Sequence, residues 1–166
     1  FPDLTLMHDA EAVYTHSEAL KVGLALSELN CHWFEAPLND LDLQGYRNLT
    51  ARINVPVIPA GYAVSDHRQI GGALRDAPWS AARAEIASTT GITTMNRMME
   101  LAKNFDMDLE PVTYGHPLYG TAGLHLILGH SNATYYEIAY PTSDWEYGVV
   151  NPVHPDANGM VRAPEG

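Results

Sequence analysis

The chain has 166 residues, 46% of them hydrophobic, with 20 acidic against 9 basic side chains and a net charge of -11. That size supports one domain with a substantial core, and so few scattered Lys and Arg exclude a nucleic-acid partner, whose phosphates need clustered cations. No apolar run approaches the roughly 20 residues that cross a bilayer and no charged-then-apolar leader opens the sequence, so a soluble cytoplasmic protein without a membrane partner is expected.

Taken in chain order, short apolar segments alternate with helical patterns. Residues 4–9 (LTLMHD) read as a strand, followed by Thr15-His16-Ser17-Glu18, which has the spacing of a capping box. Ala19, Leu20, Val22, Leu24, Leu26 and Leu29 then give an apolar helical face that ends at Asn30. The lone Cys31 cannot form an internal disulfide and fits a buried packing position in a reducing compartment. Residues 32–35 (HWFE) form the second strand and 43–53 the second helix, with Asp42 as its cap and Pro56 beyond its end. Strands at 57–62 (VIPAGY), 83–86 (RAEI), 109–114 (LEPVTY) and 135–137 (YYE) follow, separated by helices at 66–74, 93–104 and 120–128. Residues 151–166 are a Pro/Gly-rich tail without periodicity.

The strands recur roughly every 25 to 27 residues, the length of one strand, one helix and two loops. Six such βα units imply a parallel sheet of the (β/α) TIM-barrel type, in which reactive side chains sit at the carboxyl ends of the strands. Asp9, Glu35, Glu85 and Glu137 fall at or near those ends. Six strands are fewer than the eight of an ordinary barrel, and the sequence enters a strand almost directly from Phe1, so a longer parent chain is expected. The domain expectation is a partial barrel over 1–150 and a tail over 151–166 that packs on it or extends from it.

The runs LMHDA, HWFEAPL, PVIPAG, TTGIT, LAKNFDMDLEP, GLHL and YYEIAYP, in that order and spacing, resemble the barrel domain of the mandelate racemase and muconate lactonising branch of the enolase superfamily. The resemblance covers nearly the whole chain and implies six units of a (β/α)7β barrel. It further implies a lyase or isomerase in which three strand-end carboxylates hold Mg²⁺, a hard cation suited to oxygen ligands. The metal would stabilise the enediolate formed when a base removes the proton next to a substrate carboxylate.

On that resemblance Asp9 and Glu35 match the first two metal ligands. Tyr62 stands where the third carboxylate is expected, and a neutral phenol is a poor Mg²⁺ ligand, so weak Mg²⁺ binding is expected. Glu85 matches a sixth-strand acid normally one methylene shorter. Val112 occupies the position of the histidine base, and His116, four residues on, is the substitute candidate. Glu137 matches the acid that polarises or protonates the substrate carboxylate, and Tyr62 and Tyr114 are candidate substrate contacts.

Each candidate has a plainer reading: Asp9 and Glu35 as loop acids, Glu85 as an ion-pair partner of Arg83, Glu137 as a buried hydrogen-bonding group, His116 as an exposed turn residue. Two functions follow. One is a Mg²⁺-dependent dehydratase or racemase-type enzyme acting on a small hydroxy acid or acid sugar, assembled as a homo-oligomer. The other is a divergent, non-catalytic barrel that binds a small acid or has a structural role, having lost the ligand at Tyr62 and the base at Val112.

Overall fold

The computed structural model describes residues 4–64, 66–76 and 78–163. Among these residues five strands alternate with five helices: β1 (Met7–Asp9), α1 (His16–Glu28), β2 (Trp33–Glu35), α2 (Leu43–Thr50), β3 (Val57–Ile58), α3 (His67–Asp76), β4 (Ala82–Glu85), α4 (Ile92–Lys103), β5 (Leu109–Val112) and α5 (Pro117–Gly129). A short 3-10 turn, Thr142–Asp144, precedes the tail. This alternation is a TIM-barrel-type α/β arrangement, with the helices on the outside of the curved sheet.

Local chemistry accounts for the helix starts. The Thr15 hydroxyl accepts from the Glu18 N–H while the Glu18 carboxylate accepts from the Thr15 N–H, closing the expected capping box. Asp42 caps α2 by accepting from the Gly45 N–H at 2.8 Å. Helix α5 begins three residues before the expected Gly120, because Pro117 pre-sets the first helical turn and His116 Nδ1 accepts from the Leu118 N–H. Among the described residues no helix is long and apolar enough to cross a membrane.

Strands β1, β2 and β3 form one ladder, with Asp9 opposite Glu35 and Phe34 opposite Val57; β4 and β5 form a second, with Arg83 opposite Glu110. The two ladders meet through isolated bonds. The Ser80 N–H donates to Val57 O at 2.8 Å and the Glu85 N–H donates to Gly61 O at 3.1 Å. Gly61 permits this approach: its φ is +88°, and a Cβ there would lie 2.8 Å from Ala84 N and from the Arg83 carbonyl carbon.

The expected sixth strand is corrected by the structure. Residues 134–137 lie beside β5 but carry no strand ladder. Side chains supply the bonds instead. Glu110 accepts from the Thr134 and Tyr135 N–H groups at 3.0–3.1 Å, and the Thr113 hydroxyl donates to Glu137 O at 2.9 Å while accepting from the Glu137 N–H at 2.7 Å. The first strand is also shorter than expected, starting at Met7 rather than residue 4.

Helix-facing residues build the core: Phe34, Val57, Ala82, Ala84 and Leu109 from the sheet pack with Ile70, Leu74, Met95, Met98 and Met99 from the helices. Cys31 is buried, as expected.

Candidate active site

Because side chains alternate along a strand, the residues between the core positions face the other way. Met7, Asp9, Trp33, Glu35 and Arg83 line one cleft of about 200 Å³ with Tyr135 and Glu137. Asp9 and Glu35 are register partners at the carboxyl ends of β1 and β2, about 4.8 Å apart by strand spacing. Asp9 also turns the chain, accepting from the Glu11 N–H at 3.0 Å.

The centre of the cleft is Arg83. Its side chain is 5% exposed, and Nη2 lies 2.9 Å from Glu35 Oε1 and 3.1 Å from Glu137 Oε2. The guanidinium Nε is buried with no hydrogen-bond partner among the described residues. Glu35 is itself almost fully buried, and that burial pushes its pKa up to about 7; Arg83 opposes the shift, while Asp9, Glu137 and Glu11 add to it. Glu110, across the ladder from Arg83, is raised by burial as well, against the pull of its backbone hydrogen bonds.

The other candidates are distributed around this centre. Tyr62 is 45% exposed, and its phenol is pushed up to about 12, first by burial and then by Glu11 and Glu137. Glu85 lies two residues beyond Arg83 on β4 and shares its face. Tyr114 is half-exposed and packs on Trp145 at a ring separation of 4.7 Å. His116 lies at the head of α5, its ring edge-on to Tyr147, and does not line the Arg83 cleft. Val112 is 2% exposed. Glu137 is also a wall of a narrower cleft of about 50 Å³, between the start of α5 and the tail residues Pro152 and Val153.

Two residues that position the site were not singled out in the sequence. Asp40 is buried and accepts from the N–H groups of Ala60, Gly61, Tyr62 and Ala63 at 2.8–3.2 Å, so one carboxylate fixes the loop that carries Tyr62. Arg83 entered only as a partner for Glu85, yet it pairs with Glu35 and Glu137. A charged residue between two alanines at the core-facing positions of a strand was the available signal.

A third carboxylate is missing at Tyr62, and Glu35 is already engaged by a guanidinium. Among the described residues no group of three His, Cys, Asp or Glu side chains is arranged to hold a metal ion. The residues present do not fit the three-carboxylate magnesium centre that the resemblance implies.

Residues 1–166 match the family model described as enolase C-terminal domain-like, and the chain belongs to that family, in its mandelate racemase and muconate lactonizing branch. It is similar to arabinonate dehydratase of Saccharolobus solfataricus, 29% identical over 75% of this chain and 32% of the relative. It is also similar to L-talarate/galactarate dehydratase of Salmonella typhimurium, 24% identical over 66% of this chain and 27% of the relative. The chain thus spans about a third or less of the curated relatives it matches. Among solved structures, D-glucarate dehydratase of Agrobacterium tumefaciens complexed with magnesium superposes with a TM-score of 0.86 at 26% identity, over 99% of this chain and 43% of that one.

Proposed function

We propose that the Arg83 cleft binds the carboxylate end of a small polyhydroxy acid and that the protein acts on it as a dehydratase-type enzyme. The observation that carries this reading is the convergence of Asp9, Glu35, Glu137 and a buried guanidinium on one cleft at the strand ends. Such a set suits a ligand with one anionic end and several hydroxyls, since the guanidinium donates to carboxylate oxygens and the acids accept from hydroxyls. The dehydratases of acid sugars among the relatives support the same substrate class.

In this reading Arg83 and Glu137 orient the acid and Tyr62 covers the mouth. Dehydration removes the proton next to the carboxylate and expels the neighbouring hydroxyl as water, leaving an enol that becomes a keto acid. Glu85, on the face of Arg83, and His116 are the chain's candidates for moving those protons. Magnesium would supply enediolate stabilisation in a family centre with three carboxylates, but the residues here do not fit that centre.

The test is to incubate the full-length protein with a panel of acid sugars in D₂O, following keto-acid formation and exchange of the α-proton, and to repeat it with Glu85→Gln, Glu137→Gln and His116→Ala. Loss in Glu137→Gln with either proton-transfer variant supports the enzyme. Absence of both exchange and dehydration with every acid leaves the second reading, a binding barrel without catalysis, which the apolar Val112 at the base position favours.

A further inference from the structure

We infer that Arg83 takes the place of the divalent cation in this centre, making it a metal-independent site that grips a carboxylate directly through its guanidinium. For the identity of the ligand this rests on the reading above; for the exclusion of metal it stands on the geometry alone.

Acids converging on one strand-end mouth repel one another unless a positive charge sits among them. Here that charge is part of the chain. Arg83 Nη2 bridges Glu35 and Glu137, carried 48 residues before and 54 after it in the sequence. Its side chain is more than nine-tenths buried, held between Ala82 and Ala84, which pack in the core. A metal ion bound by Glu35 would lie within a few ångströms of this permanent cation, in a partly desolvated cleft where like charges interact strongly. The substitution of Tyr62 at the third ligand position removes the negative charge that would offset it.

The donors not used by the two glutamates point to the ligand. A guanidinium offers five N–H donors in a fixed fork suited to a carboxylate. Nη2 is committed to the two glutamates, whereas Nε is buried without a partner. A buried, unsatisfied charged donor costs stability, and it is retained where something else completes it. In this inference the carboxylate of a hydroxy acid meets the guanidinium on the face that lines the cleft, and its hydroxyls pair with the free lone pairs of Glu35 and Glu137 beside it.

Calorimetric titration of the full-length protein tests this with three probes: MgCl₂ alone, galactarate in EDTA, and galactitol, in which both carboxylates are replaced by alcohols. The expected result is no saturable binding of Mg²⁺, galactarate binding unchanged between EDTA and millimolar Mg²⁺, and none of galactitol. Arg83→Lys keeps the charge and loses the fork, and should weaken galactarate at least about tenfold. Should Arg83→Lys fold poorly, Arg83→Gln combined with Glu35→Gln removes the charge pair together and serves the same purpose. Saturable Mg²⁺ binding by the wild type, a requirement for Mg²⁺ in galactarate binding, or unchanged affinity in both Arg83 variants overturns the inference. If neither Mg²⁺ nor any acid binds, the hydroxy-acid reading fails while the exclusion of metal by Arg83 stands, and Tyr62→Glu with Arg83→Gln should then create Mg²⁺ binding that Tyr62→Glu alone does not.

Discussion

At the scale of single residues, two charges buried by the fold do opposite kinds of work. Arg83 is surrounded by acids, whereas Asp40 is surrounded by backbone donors and no cation touches it in the bonds it makes. A carboxylate accepting from four N–H groups is stabilised by charge-assisted hydrogen bonds, and truncating it leaves four donors without their acceptor. Asp40→Ala should therefore destabilise the protein by about 3 kcal/mol, toward the upper end of ordinary point substitutions. Asp40→Asn should cost nearly as much, because its amide turns an N–H group toward other N–H groups. Urea unfolding of both variants checks this, and midpoints equal to the wild type would show that the loop is held by something other than Asp40. Neither residue's role was legible in the sequence. The acids at strand ends could be found from the period of the units, but Asp40 lies in a loop, and its partners are some 20 residues away. The partner choice of Arg83, Glu35 and Glu137 rather than the neighbouring Glu85, depends on strand register and curvature that no local pattern encodes.

At the scale of elements, the helices followed the sequence more closely than the strands. The capping box at Thr15 and the cap at Asp42 are local chemistry within four residues, so they read directly. The start of helix α5 departs from expectation because Gly-His-Pro suits a turn and a helix N-terminus alike. His125, inside that helix, is exposed. The segment at 134–137 has the composition of a strand, but its ladder is replaced by Glu110 and Thr113 side chains, a substitution that hydrophobic period cannot reveal. The same region makes α5 unusually intolerant of added volume. A Cβ at Gly123 would fall 2.3 Å from Thr113 Cγ2, whereas one at Gly72 in α3 meets nothing within 4 Å. Gly123→Ala should cost about 1–3 kcal/mol through overpacking, while Gly72→Ala should gain about 0.5–1 kcal/mol from helix propensity. Thermal unfolding of the pair distinguishes a packing glycine from a free one; equal shifts in the two variants would refute the distinction.

At the scale of the whole molecule, the buried acids make stability depend on pH in a defined direction. Glu35 binds its proton more tightly in the folded state, about 7 against 4.5 for the ordinary side chain. Between those values the folded protein carries more protons than the unfolded one, so stability falls as pH rises through this window and the loss is complete above about pH 7. Glu110, raised in the same direction, adds to the trend. The acids lowered by hydrogen bonds, Glu18, Asp42, Asp66 and Asp156, have their effect at more acidic pH and leave the window to the buried pair. The thermal midpoint should therefore decline from pH 5 to pH 7 and Glu35→Gln should flatten the decline. A midpoint that rises across this range, or an unchanged slope in Glu35→Gln, would contradict the assignment.

The join between β3 and β4 gives the ion pair a mechanical meaning. The two ladders touch through a pair of bonds between Ser80 and Val57 and one from Glu85 to Gly61, and Glu35 belongs to one ladder while Arg83 belongs to the other. The charge pair is thus a staple across the seam between the two ladders. A substitution that breaks the Glu35–Arg83 pair therefore weakens the join between the ladders, and amide exchange at Ser80 and Glu85 is where that should register.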